Sequence, residues 1–559
     1  MSTPRLSTLS WSGLAIFCSL SFGAGSIAAV QADASTDPAC WLFASGSDGP
    51  RGTFDWCVPA GQTLILDTSS AILSGGPHCD GSQVQNVVGG IVEARNVSIG
   101  PGAVLRVIGP NPLVVFASGT VRIEGTIDLS GTSSPGVTTI NTTNLPEPGA
   151  PGQAGGGDGG TGNPNTASPT PMGGNGLGAF GTEDGGGRGG ETGWNNVSAF
   201  QLEERRGAGG GGGTFGANQA QEFGSIAQFG AWDQTFIGLD AEDGFANQRR
   251  AAQGAITGPE GPLGGRVGPR PFTDGNPIND FYGYGLDPQT GAIVVGELAQ
   301  PWAGAGGGAG GNASFVGVGG TWPPPFNPTG DEKGAGGGGG GGSLEILALG
   351  DIVFGRAGLI LCRGGDGGWG ENTLFLNRVG GSSGGGSGGH VILQTAGVID
   401  FRSSLGLASV EPGAIVGGIL ATGGQGGGNA GGQVQGDSKD GVQTLAALDS
   451  CPRGYPEFGA NACLGHLDGV GGDGGPGVVQ LHTRNGFNPR DPSILLPAGR
   501  TIRDLCKPLP IGSDGSIVLQ PRFPGLPGDE ALSGTRRDEQ RWQEFLRLRP
   551  GEGLMQRMR

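Results

Sequence analysis

The stretch GAGGGGGGGSLEILALGDIVFGRAGLILCRGGDGG at residues 334–368 places two short apolar runs between tracts of nearly pure glycine. Glycine loses more conformational freedom on folding than any other residue, and within an element it costs roughly 0.5–1 kcal/mol relative to alanine. The best core-forming segments are therefore flanked by the residues that are hardest to order. Comparison of this stretch with the rest of the chain predicts the fold.

Two other segments repeat the pattern of residues 343–356 without gaps, namely residues 112–125 and 390–403. In all three, apolar side chains occupy alternate positions, a glycine follows, and two more apolar residues come after it. A final apolar strip follows each segment, and a weaker fourth copy begins near Val479. The aligned positions are Leu113, Leu344 and Val391 in the first strand, Gly119, Gly350 and Gly397 at the glycine, and Ile127, Ile360 and Ile419 in the final strip.

A period of two predicts β-strands, and single glycines at fixed positions predict the corners between them. We expect positive φ at Gly119, Gly350 and Gly397. Because a turn of three short strands cannot bury its apolar face alone, successive turns should stack. The sequence therefore predicts an all-β fold, a parallel β-helix or β-solenoid with long glycine-rich excursions. The alternative is a β-sandwich, although hairpins favour two-residue turns rather than single-glycine corners.

The composition divides the chain into five segments. Arg5, an apolar stretch over 14–30 and a small-residue cleavage site at 30–32 are typical of a secretory signal peptide. No later stretch resembles a transmembrane helix, so none is predicted in the mature chain. The segments are a signal peptide at 1–32, N-terminal solenoid turns at 33–131, a glycine-rich insertion at 132–333, the main solenoid repeats at 334–525, and a tail at 526–559 with a short amphipathic helix.

The glycine tracts allow two interpretations. They precede the first strand or follow the last strip of each copy, so they should all leave the predicted solenoid on one side. In the first interpretation they are mobile surface loops. In the second they are extended strands with three residues per turn, bonded side by side through N–H···O and Cα–H···O contacts. Only glycine permits that close approach, and the tryptophans between the tracts would be unnecessary in a flexible linker.

Charge and cysteine content point to an exported protein. The formal net charge is −17, which argues against nucleic acid and anionic membranes as partners. Of the eight cysteines, one lies within the predicted signal peptide, and export allows the others to pair. Cys40 with Cys57 and Cys451 with Cys463 are the predicted local disulfides. The alignment places Cys362 on the inward register, as a small buried side chain.

Calcium is the one cofactor that the motifs suggest. GGDGG-like sequences surround Asp158, Asp366 and Asp473, which are the candidate ligands. A calcium-binding β-roll uses tandem nonapeptides, a spacing that these scattered motifs lack. An isolated aspartate in a turn usually bonds nearby backbone instead.

No catalytic residue is predicted. The four histidines form no HExxH motif or close pair, and His390 and His482 are expected at the surface. His78 precedes Cys79, for which a disulfide is favoured over a metal site. Secreted β-solenoids include pectin-degrading enzymes, and the nearest fragment to their active sites is residues 465–468. It lacks the companion acidic pairs that such hydrolases carry.

The alternation of glycine tracts with I-x-L-x-x-x-G-x-I-x-F units covers residues 91–131, 334–430 and 471–487. It resembles the glycine-rich exported bacterial proteins of parallel β-helix-like type. The resemblance implies secretion or surface display, and it brings no catalytic residues or cofactors.

The leading hypothesis is a secreted or surface-displayed, non-catalytic structural or adhesive protein. Its glycine-rich face would meet a polysaccharide or cell-envelope matrix, or another copy of itself. One alternative is a secreted polysaccharide lyase or hydrolase on a β-helix scaffold. Another is a calcium-stabilised component of a surface layer.

Overall fold

The computed structural model describes part of the chain. The described residues are 54–137, 145–163, 173–182, 185–187, 189–190, 205–206, 209–213, 215, 284–286, 293–295, 301–312, 333–371, 378–395, 397–407, 417–427, 471–483, 490 and 492–507. The predicted signal peptide, Cys40, the Cys451–Cys463 pair, residues 465–468 and the predicted tail helix lie outside them.

Short strands form the framework, with only two 3-10 helices among the described residues, at Ala179–Gly181 and Ile502–Asp504. The strands of the first half are β1 (Asp55–Val58), β2 (Thr63–Asp67), β3 (Ser70–Gly76), β4 (Gln83–Val88), β5 (Ile91–Ala94), β6 (Asn96–Ile99), β7 (Val104–Ile108), β8 (Leu113–Ala117), β9 (Val121–Ile123), β10 (Thr126–Asp128), β11 (Arg205–Arg206), β12 (Tyr284–Leu286) and β13 (Ile293–Val295). The others are β14 (Ser343–Ala348), β15 (Ile352–Phe354), β16 (Leu359–Leu361), β17 (Arg378–Val379), β18 (His390–Thr395), β19 (Ile399–Asp400), β20 (Gly418–Leu420), β21 (Val478–His482), β22 (Ile494–Leu495) and β23 (Cys506–Lys507).

Three sheets with mostly parallel strands hold the framework together, as the predicted all-β class requires. The first has the order β22-β19-β15-β9-β6-β1-β3-β4, the second β2-β7-β10-β16-β20-β23, and the third β21-β18-β14-β8-β5. From β5 onward, the strands of the three sheets follow one another in sets of three: β5–β7, β8–β10, β14–β16, β18–β20 and β21–β23. Within each set, the strands belong to the third, first and second sheets in that order. Every strand pairs in parallel with its equivalent in the preceding set.

The pairing confirms the gapless alignment of the sequence copies. Leu344 is the register partner of both Leu113 and Val391, and the fourth copy follows because Val391 pairs with Val479. The final strips also match, since Ile360 pairs with Ile127 and Ile419. The aligned residues therefore lie in columns that run across the sheets.

Alternate residues of all three sheets form one continuous hydrophobic core. Leu113, Leu344 and Val391 are each fully buried within it. Phe354 on β15 and Phe401, which directly follows β19, occupy aligned positions, and their rings stack with centroids 4.4 Å apart. The core members that the copies share are Val115, Ile346, Leu393, Leu481, Val121, Ile352, Ile399, Ile127, Ile360 and Ile419.

The corner glycines differ from the prediction. Gly119, Gly350 and Gly397 do not have positive φ. They are needed because the segments of successive copies lie close together at these positions: a Cβ on Gly350 would lie 2.7 Å from the carbonyl oxygen of Gly119, and one on Gly397 would lie 2.3 Å from Asp351 Oδ1. Close packing, rather than a left-handed backbone, selects glycine there.

The predicted disulfide between Cys40 and Cys57 is wrong, because Cys57 bonds Cys79, with their Cα atoms 5.6 Å apart. β3 folds back antiparallel on β1, and Asp55 pairs with Gly76. The following turn carries Cys79 to Cys57. The preference for a disulfide over a metal site at Cys79 is confirmed.

The glycine tracts are packed strands wherever the structure describes them. Backbone N–H groups of one tract bond carbonyl oxygens of the next at every third residue, as three residues per turn require. None of the glycines in residues 301–312, 333–342 and 380–389 has positive φ. The bonds around the 333–342 tract are Gly304 N to Gly341 O at 2.8 Å, Gly307 N to Gly338 O at 2.8 Å, Gly310 N to Ala335 O at 2.9 Å, Ala335 N to Gly381 O at 3.0 Å, Gly338 N to Gly384 O at 3.0 Å, and Gly341 N to Ser387 O at 2.9 Å.

We call this assembly the glycine bundle. Its described members are residues 130–137, 145–163, 173–178, 185–187, 209–213, 301–312, 333–342, 363–371, 380–389, 422–427 and 471–477. A Cβ added to Gly337 would lie 2.0 Å from Gly307 O, one on Gly384 would lie 2.0 Å from Gly211 O, and one on Gly364 would lie 1.8 Å from Gly386 O. The bundle therefore has room only for hydrogen at these positions, and satisfied backbone bonds offset the entropy that glycine loses.

His390 and His482 are buried, although the sequence predicted surface positions. The glycine bundle covers the outer side of the third sheet, so β14, β18 and β21 are buried on both faces. The amide of Trp302 donates to His390 Nδ1 at 3.2 Å, and Phe215 packs edge-on against the imidazole. Because Nδ1 accepts, Nε2 carries the proton and donates to Gln480 Oε1 at 3.0 Å. Nothing local in the sequence indicated this cover.

His390 makes stability depend on pH. Burial lowers its pKa to about 4 from 6.5, and the bond to Gln480 opposes that shift only in part. In the unfolded chain the imidazole takes up a proton near pH 6.5, whereas in the folded chain it stays neutral until about pH 4. Stability is therefore lost as the pH falls from 6.5 towards 4, by about 3 kcal/mol from this residue.

We expect His390→Asn to reduce the difference between the free energies of unfolding at pH 7.5 and pH 4.5. Asparagine keeps an acceptor for Trp302 but does not titrate. The matched control is His78→Asn, at an exposed position. Equal pH dependence in wild type and His390→Asn would contradict the prediction.

Candidate binding face

Three adjacent tracts of the glycine bundle form one of its sides: residues 130–137, 363–371 and 422–427. Gly131 N donates to Arg363 O at 2.8 Å, and the same bond recurs three residues on, from Ser134 N to Asp366 O at 2.8 Å. On the other side of the central tract, Gly367 N donates to Gln425 O at 2.7 Å. The three tracts are therefore parallel and in register.

Side chains project from this side at every third residue, and some of them also bond a neighbouring tract. Ser133 Oγ accepts from Asp366 N at 2.9 Å, and Asp366 Oδ1 accepts from Gln425 N at 2.9 Å. Ser133 is exposed, and Asp366 and Gln425 are partly exposed. We name this surface the ladder face, formed by Ser130, Ser133, Arg363, Asp366, Trp369, Thr422 and Gln425.

Trp369 is the aromatic member of the ladder face. Its indole lies on Gly136, where a Cβ would come within 2.8 Å of the ring. Gly136 also has φ +78°, a conformation that other residues rarely adopt. Trp369 remains 51% exposed. The backbone below supports the ring while its other side meets solvent.

The ladder face continues the outer side of the second sheet. Arg106 on β7 forms an ion pair with Asp128 on β10 and donates from Nη2 to Ser130 O at 3.0 Å. Sheet and bundle therefore share one surface, with paired rather than excess charge at their junction.

The three candidate calcium ligands lie on separate tracts and accept bonds from backbone amides. Asp158 Oδ1 accepts from Gly152 N at 2.9 Å, and Asp473 Oδ1 accepts from Gly426 N at 2.6 Å. Asp366 bonds Gln425 N within the ladder face. Within the described ranges, no group of three or more acidic, histidine or cysteine side chains is placed to hold a metal ion. Asp366 and Asp473 thus join different tracts, and Asp158 bonds an amide within its own tract.

The cysteine thiols of the described framework are shielded from solvent. Cys362 is fully buried, as its inward register predicted, and Cys506 is buried in the same core. Burial raises the pKa of both thiols, so both stay protonated at neutral pH. Neither has the exposed thiolate that a nucleophile needs.

Of the ladder-face residues, only Asp366 was singled out from the sequence, and there as a candidate calcium ligand. Arg363, Asp366 and Trp369 stand three residues apart among glycines, as do Thr422 and Gln425. This period of three indicates a common edge once a three-residue helix is assumed. Which tracts lie beside one another is not encoded in that spacing.

No protein-family profile matches the chain, and no curated protein or solved structure shows significant similarity to it. In the portion of the chain that the structure describes, no helix has the length and apolar character needed to cross a membrane.

Proposed function

We propose that the framework is a β-solenoid flanked by the glycine bundle. Successive strand triplets visit three sheets in a constant order, and their inward residues share one core. Antiparallel pairing within the described residues is confined to β1–β3, β3–β4 and β12–β13. This pattern favours a solenoid over a sandwich built of hairpins.

On this scaffold we propose a secreted or surface-displayed, non-catalytic structural or adhesive protein of the glycine-rich exported kind. The observation that carries the proposal is the ladder face, where side chains stand at regular intervals on tracts that are bonded laterally. Such a surface is rigid before it meets a partner, which lowers the entropy cost of binding. The partner is a polysaccharide or cell-envelope matrix, or a second copy of the chain.

The test combines export and binding. The full-length protein carrying a C-terminal tag should reach the medium or cell surface, and deletion of residues 2–32 should retain it inside the cell. The exported protein should sediment with purified envelope glycan or form oligomers in analytical ultracentrifugation. Release of reducing sugar would replace the proposal with a polysaccharide-degrading enzyme, and binding that chelator abolishes would favour the calcium-stabilised layer. Absence of export, or of both associations, would refute the proposal.

A further inference from the structure

Trp369 is the one aromatic side chain among the large hydrophobic residues that are exposed in the described part of the chain. An exposed indole costs free energy in water, because its apolar area is large. Its conformation needs Gly136 beneath it, since any larger residue would meet the ring. The backbone is therefore shaped to present this ring flat against the surface.

Polar groups stand at a regular distance from the ring. Asp366 lies one turn of the tract before Trp369, and Arg363 lies two turns before it. One turn of this helix rises about 9 Å. Gln425 and Ser133 lie on the tracts at either side: Gln425 N donates to the Asp366 carboxylate, and Asp366 N donates to Ser133 Oγ. These side chains form an open row on the surface rather than an enclosed pocket. Such a row suits an extended chain better than a compact small molecule.

We infer that the ladder face binds a neutral glycan chain, with one sugar ring stacked on Trp369. This inference rests on the proposed adhesive function and specifies its ligand. A sugar ring offers an apolar C–H side for the indole and hydroxyl groups that both donate and accept. The Asp366 carboxylate supplies an acceptor, and the Arg363 guanidinium supplies donors.

Charge selects neutral over acidic glycans. Arg363 and Asp366 have opposite charges on the same edge, and Arg106 is paired with Asp128 where the face joins the second sheet. The chain as a whole carries −17, so a polyanion is repelled at long range. A proline-rich peptide also packs on exposed aromatic rings, but it has few hydroxyl groups for the polar row to bind.

The test uses the full-length exported protein with cellohexaose, chitohexaose and mannohexaose as neutral probes, and oligogalacturonate as the acidic one. Calorimetry should show binding of at least one neutral probe and none of the acidic one. Trp369→Ala should weaken that binding at least tenfold, and Trp369→Phe should remain within about threefold of wild type. The control is Ile72→Ala, another exposed apolar residue, which should leave affinity unchanged. Equal melting temperatures would show that the variants fold.

The outcomes separate the inference from the proposed function. Neutral-glycan binding that survives Trp369→Ala, or a preference for the acidic probe, overturns the ligand site but leaves adhesion standing. The same holds if the protein binds no hexaose but associates with itself or with insoluble envelope matrix. Binding of a proline-rich peptide in place of glycans also overturns the site. Failure of every association overturns both.

Discussion

Replacing Gly337 by alanine is expected to lower the free energy of unfolding by roughly 3 kcal/mol or more. Gly337 lies in a central tract of the glycine bundle, where its amide donates to Gly160 O at 2.8 Å and its carbonyl accepts from Ala150 N at 2.8 Å. The new Cβ would stand 2.0 Å from Gly307 O, and an ordinary contact begins at 3.4 Å. The neighbouring tract must move by the difference, 1.4 Å, which breaks bonds on both of its sides. Urea unfolding of both proteins measures the loss.

The matched control is Thr161→Ala, because Thr161 lies in a neighbouring tract with its side chain exposed. It should change stability by less than about 0.5 kcal/mol. Hydrogen exchange adds a local measurement: amides of residues 304–310 should exchange slowly in wild type and faster in Gly337→Ala. Alanine restricts the unfolded chain and by that effect alone would stabilise the protein. An unchanged or increased stability in Gly337→Ala would therefore refute the packed arrangement of the tracts.

The second large effect is expected at Lys333, in a buried charged cluster at one end of the bundle. Its Nζ lies 2.8 Å from Glu147 Oε1, and the two side chains are only 5% and 3% exposed. Glu371, also buried, binds the same segment, since its Oε2 accepts from Lys333 N at 3.1 Å. Lys333→Met keeps much of the side-chain volume but removes the positive charge beside Glu147. We expect a loss of about 3 to 5 kcal/mol in the free energy of unfolding.

The double variant Lys333→Met with Glu147→Gln should recover much of that loss, because no charge of the pair stays buried. The comparison is the exposed pair of Arg402 and Asp400, where the arginine side chain is 65% exposed. Arg402→Met should cost less than about 1 kcal/mol. Denaturant unfolding of the wild type and these three variants measures the costs. Equal costs at the two pairs would show that burial adds nothing to the interaction at Lys333.

The register of the framework was predictable because it depends on local patterning. Side chains of a strand alternate between its faces, so a slip of one residue would expose every apolar position. Leu113, Leu344 and Val391 align without gaps, and this alone predicted their pairing and burial. The same logic placed Cys362 in the core, since it occupies the inward position after Leu361.

Other features depended on contacts between segments distant in the chain. His390 has the outward register that usually means solvent, yet Trp302 and Phe215 of the insertion cover it. Cys57 bonds Cys79, 22 residues later, because β3 folds back on β1. The sequence did not indicate either contact, because no local pattern at one residue of each pair points to the other.

The sequence by itself determined the repeated strands, their inward residues and their register, because a period of two can be read from apolar side chains. It also limited the glycine tracts to two states, mobile or packed. Only the tertiary structure decided between them and assembled the ladder face. Because glycine has no side chain, a glycine tract carries no residue pattern that identifies its neighbour. Its partners are specified by backbone hydrogen bonds and by the space left when the tracts meet.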